Sequence, residues 1–380
     1  MFKNFIKVIK NNVLYLPGWR TDRKILVIES DDWGSIRMPS KEVYKNCLEA
    51  GYPVDENPYE RYDSLASRDD LDVLFNTLFS FRDFNGNHPI ITANCVVANP
   101  DFEKIRDDNF LKYHFEVITE TFGRYPNHSD NFKLWHTGLK SGLFFPQFHC
   151  REHLNVSMFM KALRNNDTDA HFGFRNSMPG SIRMSKTGNG NYFIEATNYN
   201  SEEDKSEKLN IYIEGLEIFE KLFGYKSISV IPPNYIWSND FYEPIARKGV
   251  RIMQGSRKYK EPVPGHKPIF SRRILGDIND NDQISLIRNC TFEPSLISES
   301  DVVDSCLADI SLAFRMGKPA IISSHRINYV GFIDQRNRDN TIKMLDLVLK
   351  NSLKHWPDLE FFTSVQLGEL IYQSKKNNIL

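Results

Sequence analysis

Long apolar runs are missing from this chain, and so are paired cysteine motifs, an excess of either charge, and flexible low-complexity linkers. No stretch approaches the roughly 20 apolar residues of a membrane span, so no integral membrane segment is expected. The five cysteines, Cys47, Cys95, Cys150, Cys290 and Cys306, show no C-x-x-C spacing, which argues against a disulfide framework and a zinc knuckle. Lys and Arg number 48 against 49 Asp and Glu, a formal charge of −1. That balance leaves no electrostatic footprint for nucleic acid or an anionic membrane surface. The N-terminal residues are basic and faintly amphipathic, with Lys3, Lys7 and Lys10 breaking the apolar positions. A secretory leader needs an uninterrupted apolar core instead. A cytoplasmic protein is expected, with residues 1–22 as a basic N-terminal helix or extension.

What is present is an alternation of two kinds of segment. Apolar runs at 25–29, 89–97, 143–149, 227–232, 250–254, 284–289, 320–324 and 360–363 read as buried strands. Amphipathic stretches at 69–81, 154–163, 207–223, 300–314 and 340–353 lie between them. Strands alternating with helices imply parallel pairing through right-handed crossovers. About seven to eight such units favour a closed (β/α) barrel over an open sheet. One α/β domain over 23–375 accommodates them, with polar insertions around 51–67, 98–142, 167–206 and 256–282 expected to rim the C-terminal mouth.

Two strand ends carry the chemistry. Ser30-Asp31-Asp32-Trp33-Gly34 follows the run ending at Ile28, and His149-Cys150-Arg151-Glu152-His153 follows the run ending at Phe148. One end offers two carboxylates and the other two imidazoles. A catalytic divalent metal uses such ligands, with one carboxylate left over as a base. The histidines share a face if a helix starts near Cys150; two helix-surface histidines are the competing reading. The aspartates are not needed as helix caps, because Ser40 after Pro39 starts the next helix well. Imidazole binds zinc, cobalt, nickel or iron alike, so the pair does not name the metal; zinc is the first expectation, with cobalt or nickel next.

Two further strand ends add candidates. His325 closes the run 320–324, and its unperturbed pKa suits a general acid for a leaving amine; a satisfied strand-terminal histidine is the alternative. Ile231-Pro232-Pro233-Asn234-Tyr235-Ile236-Trp237 is a proline-stiffened turn that presents two aromatics, either as a sugar-stacking platform or packed inward. Cys150 is expected to pack inward rather than serve as a thiol nucleophile. The remaining histidines sit in polar contexts and are expected at the surface.

In order and context these stretches resemble the polysaccharide deacetylase family, metal-dependent carbohydrate esterases with a distorted (β/α) barrel. The resemblance implies Asp31 as base, Asp32, His149 and His153 as metal ligands, and His325 as general acid. The end of the chain, Phe361-Phe362-Thr363-Ser364-Val365-Gln366-Leu367-Gly368-Glu369-Leu370, also resembles the family's last strand and helix. The reaction implied is hydrolysis of an acetyl or other acyl group from an amino sugar or glycan precursor. Trp33, Tyr235, Trp237 and Arg326 are the expected substrate-binding residues for this carbohydrate.

The chain departs from the family pattern at three places. Trp33 follows the aspartate pair where the family has glycine, and the separation from Asp32 to His149 is unusually long. The family's third motif carries an arginine that orients the base, whereas Ile231 to Trp237 contains none; Arg151 and Arg326 are the candidates to replace it. Two rival readings stand beside this one. The segment also fits H-x-x-E-H, a zinc peptidase signature with Glu152 as base, which requires a long helix. A barrel without activity, binding glycan or a protein partner, is the other.

Overall fold

Among the described residues the eight apolar runs become nine parallel strands, because a further short strand at 290–291 follows the run at 284–289. They are β1 (Lys24–Trp33), β2 (Ile91–Val96), β3 (Phe144–Cys150), β4 (Ser229–Val230), β5 (Ile252–Met253), β6 (Ile284–Ser285), β7 (Cys290–Thr291), β8 (Ala320–His325) and β9 (Leu359–Phe362). The computed structural model describes residues 17–179, 193–297 and 302–377. The sheet order is β6-β5-β4-β3-β2-β1-β8-β7, with β9 also paired to β1. Every pairing in this sheet is parallel.

The segment joining β6 to β7 closes the ring. Leu286 and Arg288 donate their backbone N–H groups to the carbonyls of Met253 and Gly255, and Asn289 donates to Ile321. One short stretch therefore pairs with β5 on one side and β8 on the other, and the α/β fold is a distorted (β/α) barrel. β8 occupies one edge of β1 along 26–31, so β9 at 24–27 and β2 from Ile28 onward share the other.

Residue parity along β1 sorts the two faces. Leu26 and Ile28 join the large cluster that includes Leu71, Leu74, Trp135, Phe219, Ile310 and Leu345 from the surrounding helices. Ile25 and Val27 join a smaller cluster with Ile252, Ile284, Leu286, Ile321 and Leu367. Successive side chains alternate across a strand, so both faces of β1 are buried, as a parallel sheet demands. The inner face continues past Val27 to Glu29 and Asp31. The lower barrel is thus apolar and the upper barrel charged, on one row of side chains.

The helices outside follow local signals. Ser40 accepts from the Val43 N–H and caps Lys41–Glu49, as its position after Pro39 predicts. Ser67 and Asp70 form a reciprocal capping box on Arg68–Phe79. Gly215 lets the long helix Glu202–Phe223 approach β3, since a methyl there would lie 2.6 Å from Phe148 Cζ. The insertions hold their own short elements: a helix at Pro58–Tyr62, a hairpin of Ala98–Pro100 with Phe115–Val117, and a hairpin of Lys258–Glu261 with Ile269–Arg272.

Several expectations change. Residues 1–16 of the expected N-terminal helix lie outside the described residues, and 17–22 are irregular. Lys318 Nζ ties them down by donating to the carbonyls of Pro17, Gly18 and Trp19. Part of the 167–206 insertion also lies outside. His88 and His128 are buried rather than at the surface; both ring nitrogens of His128 face backbone carbonyls, of Pro126 and Leu65. All five cysteines are buried and unbridged. No helix among the described residues is long and apolar enough to cross a membrane.

Candidate metal centre and proton-transfer site

Asp31 and Asp32 occupy adjacent strand positions, so a regular pleat would send them to opposite faces. The β1–β2 register slips between Ser30 and Trp33, and Asp32 adopts φ 72°. A left-handed residue inside a strand is costly for anything but glycine. Here that conformation, with the bulge it accompanies, turns both carboxylates toward the same space. Asp32 thereby meets the imidazoles while Asp31 stays on the inner row.

The two histidines converge by a different route from the one expected. No helix begins at Cys150; β3 ends there, 151–155 is loop, and the next helix is Val156–Arg164. Parity on β3 places Phe148 and Cys150 in the outer core, so His149 faces inward. The loop then folds back and delivers His153. Arg151 pins it, with Nε and Nη2 donating to both oxygens of Glu152 at 2.6 and 2.7 Å, and Nη1 to Glu214. The helix that an H-x-x-E-H peptidase requires is absent here, and Glu152 is consumed by that ion pair.

Asp32 Oδ1 lies 3.7 Å from His149 Nε2 and 3.4 Å from His153 Nε2. These separations are long for hydrogen bonds. Two ligands about 2.1 Å from one tetrahedral ion sit about 3.4 Å apart, so the spacing suits a shared cation. The three ligand atoms all lie within 4.8 Å of one another. His149 Nδ1 donates to the Ile231 carbonyl at 2.8 Å, which fixes its tautomer and leaves Nε2 with a lone pair. His153 is half-buried, with its side chain only 6% exposed, and its Nδ1 has no hydrogen-bond partner among the described residues. Burial, reinforced by His149 and Arg37 and opposed by Asp32, pushes the His153 pKa down to about 3. It is therefore neutral at physiological pH, the form in which an imidazole can bind a metal. The donor set fits a divalent transition ion.

Beside these ligands sits a second pair of groups. Arg288 grips Asp31 with Nη1 to Oδ2 at 2.7 Å and Nη2 to Oδ1 at 2.6 Å, while its Nε donates to Glu29 at 2.7 Å. Asn94 Nδ2 adds a bond to Asp31 Oδ1 at 2.8 Å. Burial would raise the Asp31 pKa, but Arg288 outweighs it and holds the carboxyl at about 2. His325 Nε2 lies 3.9 Å from Asp31 Oδ2, and its Nδ1 donates to Glu293 at 2.6 Å. Burial would lower its pKa; the Glu293 charge and hydrogen bond, with Asp32 and Asp31, raise it to about 9.

The expected substrate-binding residues divide. Tyr235 is half-buried beside the site, its hydroxyl 3.5 Å from Arg288 Nη1, in a turn where Asn234 and Tyr235 both have positive φ. Trp33 is buried in the outer core, with its ring edge-on to Phe144 and stacked on Tyr329, and its Nε1 donates to Ser30. Trp237 packs inward against Tyr212 and Phe241. Arg326 is buried on Asp63, and Arg151 is held by Glu152. The arginine on Asp31 is Arg288, which neither expected candidate anticipated. Arg288, Glu29, Asn94, Glu293 and Arg37 were missed. Arg288 and Glu293 had a usable signal, since one is next to last in the run at 284–289 and the other follows it closely.

No protein-family description and no curated protein sequence matches the chain. Similar folds occur among solved structures. A 4-α-glucanotransferase from Thermococcus litoralis is 10% identical over 93% of this chain, with a TM-score of 0.43; the match spans 40% of that enzyme's length. The PuuE allantoinase is 10% identical over 92% of this chain and 91% of its own, with a TM-score of 0.46. Peptidoglycan deacetylase PdaC from Bacillus subtilis is 12% identical over 94% of this chain and 96% of its own, with a TM-score of 0.34.

Proposed function

We propose that the protein is a metal-dependent hydrolase that removes an acyl group, most simply acetyl, from an amino sugar or a soluble glycan precursor in the cytoplasm. The observation that carries this reading is the pairing of one Asp–His–His cluster with a separate, oppositely tuned Asp31–His325 pair 3.9 Å apart. Asp32, His149 and His153 would hold the ion, zinc first and cobalt or nickel by the same donor chemistry. A bound divalent cation supplies Lewis-acid chemistry, acidifying water and polarising a carbonyl.

The residues around it divide the proton work. Asp31, kept ionised by Arg288, accepts a proton from the attacking water. His325 enters protonated, because Glu293 holds Nδ1–H and favours the imidazolium; its Nε2 proton goes to the departing nitrogen. The proton on Asp31 then passes to the emptied imidazole, which resets both groups. A base at about pKa 2 is weak, so it holds its proton only while attack proceeds. General acid–base help of this kind is worth about 10²- to 10⁴-fold. Tyr235, beside Arg288, would be the aromatic that meets the sugar.

The test is release of acetate and free amine from N-acetylated amino sugars, free and nucleotide-linked, by protein loaded with zinc, cobalt or nickel. Asp31→Asn is expected to keep its metal and lose about 10²- to 10⁴-fold in kcat. Undiminished activity in that variant would contradict the assignment of the base.

A further inference from the structure

Behind Asp32 runs a ladder of buried charges that the proton transfers do not use. Arg37 Nη2 donates to Asp32 Oδ2 at 3.1 Å, and Arg37 Nε lies 3.2 Å from Asp63 Oδ2. Asp63 Oδ1 accepts from Arg326 Nε and Nη2 at 3.0 and 2.9 Å, and Arg326 Nη1 donates to the Ser35 carbonyl at 2.6 Å. All four side chains are buried. The face of Tyr59 covers the Arg37 guanidinium, 4.6 Å from the ring centroid. Asp63 and Tyr59 both come from the 51–67 insertion, so that segment braces Arg37.

The consequence falls on Asp32. Its Oδ1 faces the two imidazoles, while its Oδ2 is occupied by Arg37. A carboxylate can bind a cation through one oxygen or both. We propose that Arg37 is a positioning residue that confines Asp32 to ligation through Oδ1, so that coordination positions remain for water and the acyl carbonyl. Burying an arginine costs desolvation that only good geometry offsets. The Asp32–Arg37–Asp63–Arg326 alternation supplies that geometry and leaves Arg37 little freedom to withdraw. This inference rests on Asp32, His149 and His153 being the metal site.

The experiment uses Co(II), whose visible bands are intense in four- or five-coordinate sites and weak in six-coordinate ones. Wild type and Arg37→Met are reconstituted, cobalt is counted by elemental analysis, and absorption is recorded without substrate. Wild type is expected to hold one cobalt with intense bands. Arg37→Met is expected to keep its cobalt and lose most of that intensity as Oδ2 joins the coordination sphere. An Arg37→Met spectrum identical to wild type at equal cobalt content would overturn the role of Arg37. A wild type that takes up no cobalt overturns the metal site itself, and the proposal with it. Should Arg37→Met fail to fold, X-ray absorption on cobalt-loaded wild type decides. The short metal–carbon contact of a chelating carboxylate would overturn the proposal, and its absence would support it.

Discussion

His149 and His325 both stand at the C-terminal ends of barrel strands, yet their environments push them toward opposite chemistry. The difference lies in what each Nδ1–H meets. His149 donates to a neutral carbonyl, that of Ile231, and its Nε2 turns to a carboxylate oxygen too distant for a good hydrogen bond. His325 donates to the carboxylate of Glu293, which stabilises the charged ring and raises its pKa to about 9. His153, its side chain only 6% exposed and its Nδ1 without a partner among the described residues, falls to about 3. A neutral or absent partner suits a ring to ligation, and an anionic partner suits it to act as an acid. The aspartates divide in the same way, since Asp31 is clamped by two hydrogen bonds from Arg288 and Asp32 is split between Arg37 and the imidazoles.

The largest effect expected from breaking this division is at Arg288. Arg288→Met leaves Asp31 and Glu29 buried without their shared cation, and losing one partner of a buried pair costs about 3–5 kcal/mol. Chemical denaturation should show that loss at neutral pH. The depressed Asp31 pKa sets how that loss varies with pH. Its stabilising contribution is present above the ordinary carboxylate value and is lost as pH falls through about 2. The penalty for Arg288→Met should therefore be largest at neutral pH and shrink on acidification. A penalty independent of pH would mean that the clamp is only packing.

A smaller and more selective change sharpens the comparison. Glu293→Gln keeps the shape of the His325 contact and removes its charge, so the imidazolium loses its main support. The alkaline limb of kcat/KM is expected to move from near pH 9 toward the unperturbed value of about 6.5, with metal content unchanged. The raised pKa also stabilises the fold below the unfolded value, and that contribution fades as pH rises through about 9. An unmoved alkaline limb would remove His325 from the role of acid.

Much of this arrangement was legible in the chain, and the reasons differ by residue. Eight apolar runs bounded by polar ends predicted strands, and each is found, because buried parallel strands need continuous hydrophobicity on both faces. Asp31, Asp32, His149, His153 and His325 were conspicuous as adjacent or closely spaced polar groups at those ends. The helix expected for the histidine pair was not found, since i and i+4 can converge equally through a strand end and a returning loop. Arg288 stands alone in its segment and meets Asp31 across 257 residues, a contact that no local spacing encodes. It was nonetheless a charge at a predicted strand end, which was the same signal that marked His325. Trp33 and Trp237 mislead for the opposite reason. An aromatic after a strand looks the same in sequence whether it faces a ligand or the core.

The most direct measurement is metal content by elemental analysis after zinc reconstitution, wild type beside His149→Ala/His153→Ala. The arrangement predicts near-stoichiometric zinc in wild type and none in the double variant. No zinc in wild type, or zinc retained equally by both, would contradict a metal centre built from Asp32, His149 and His153.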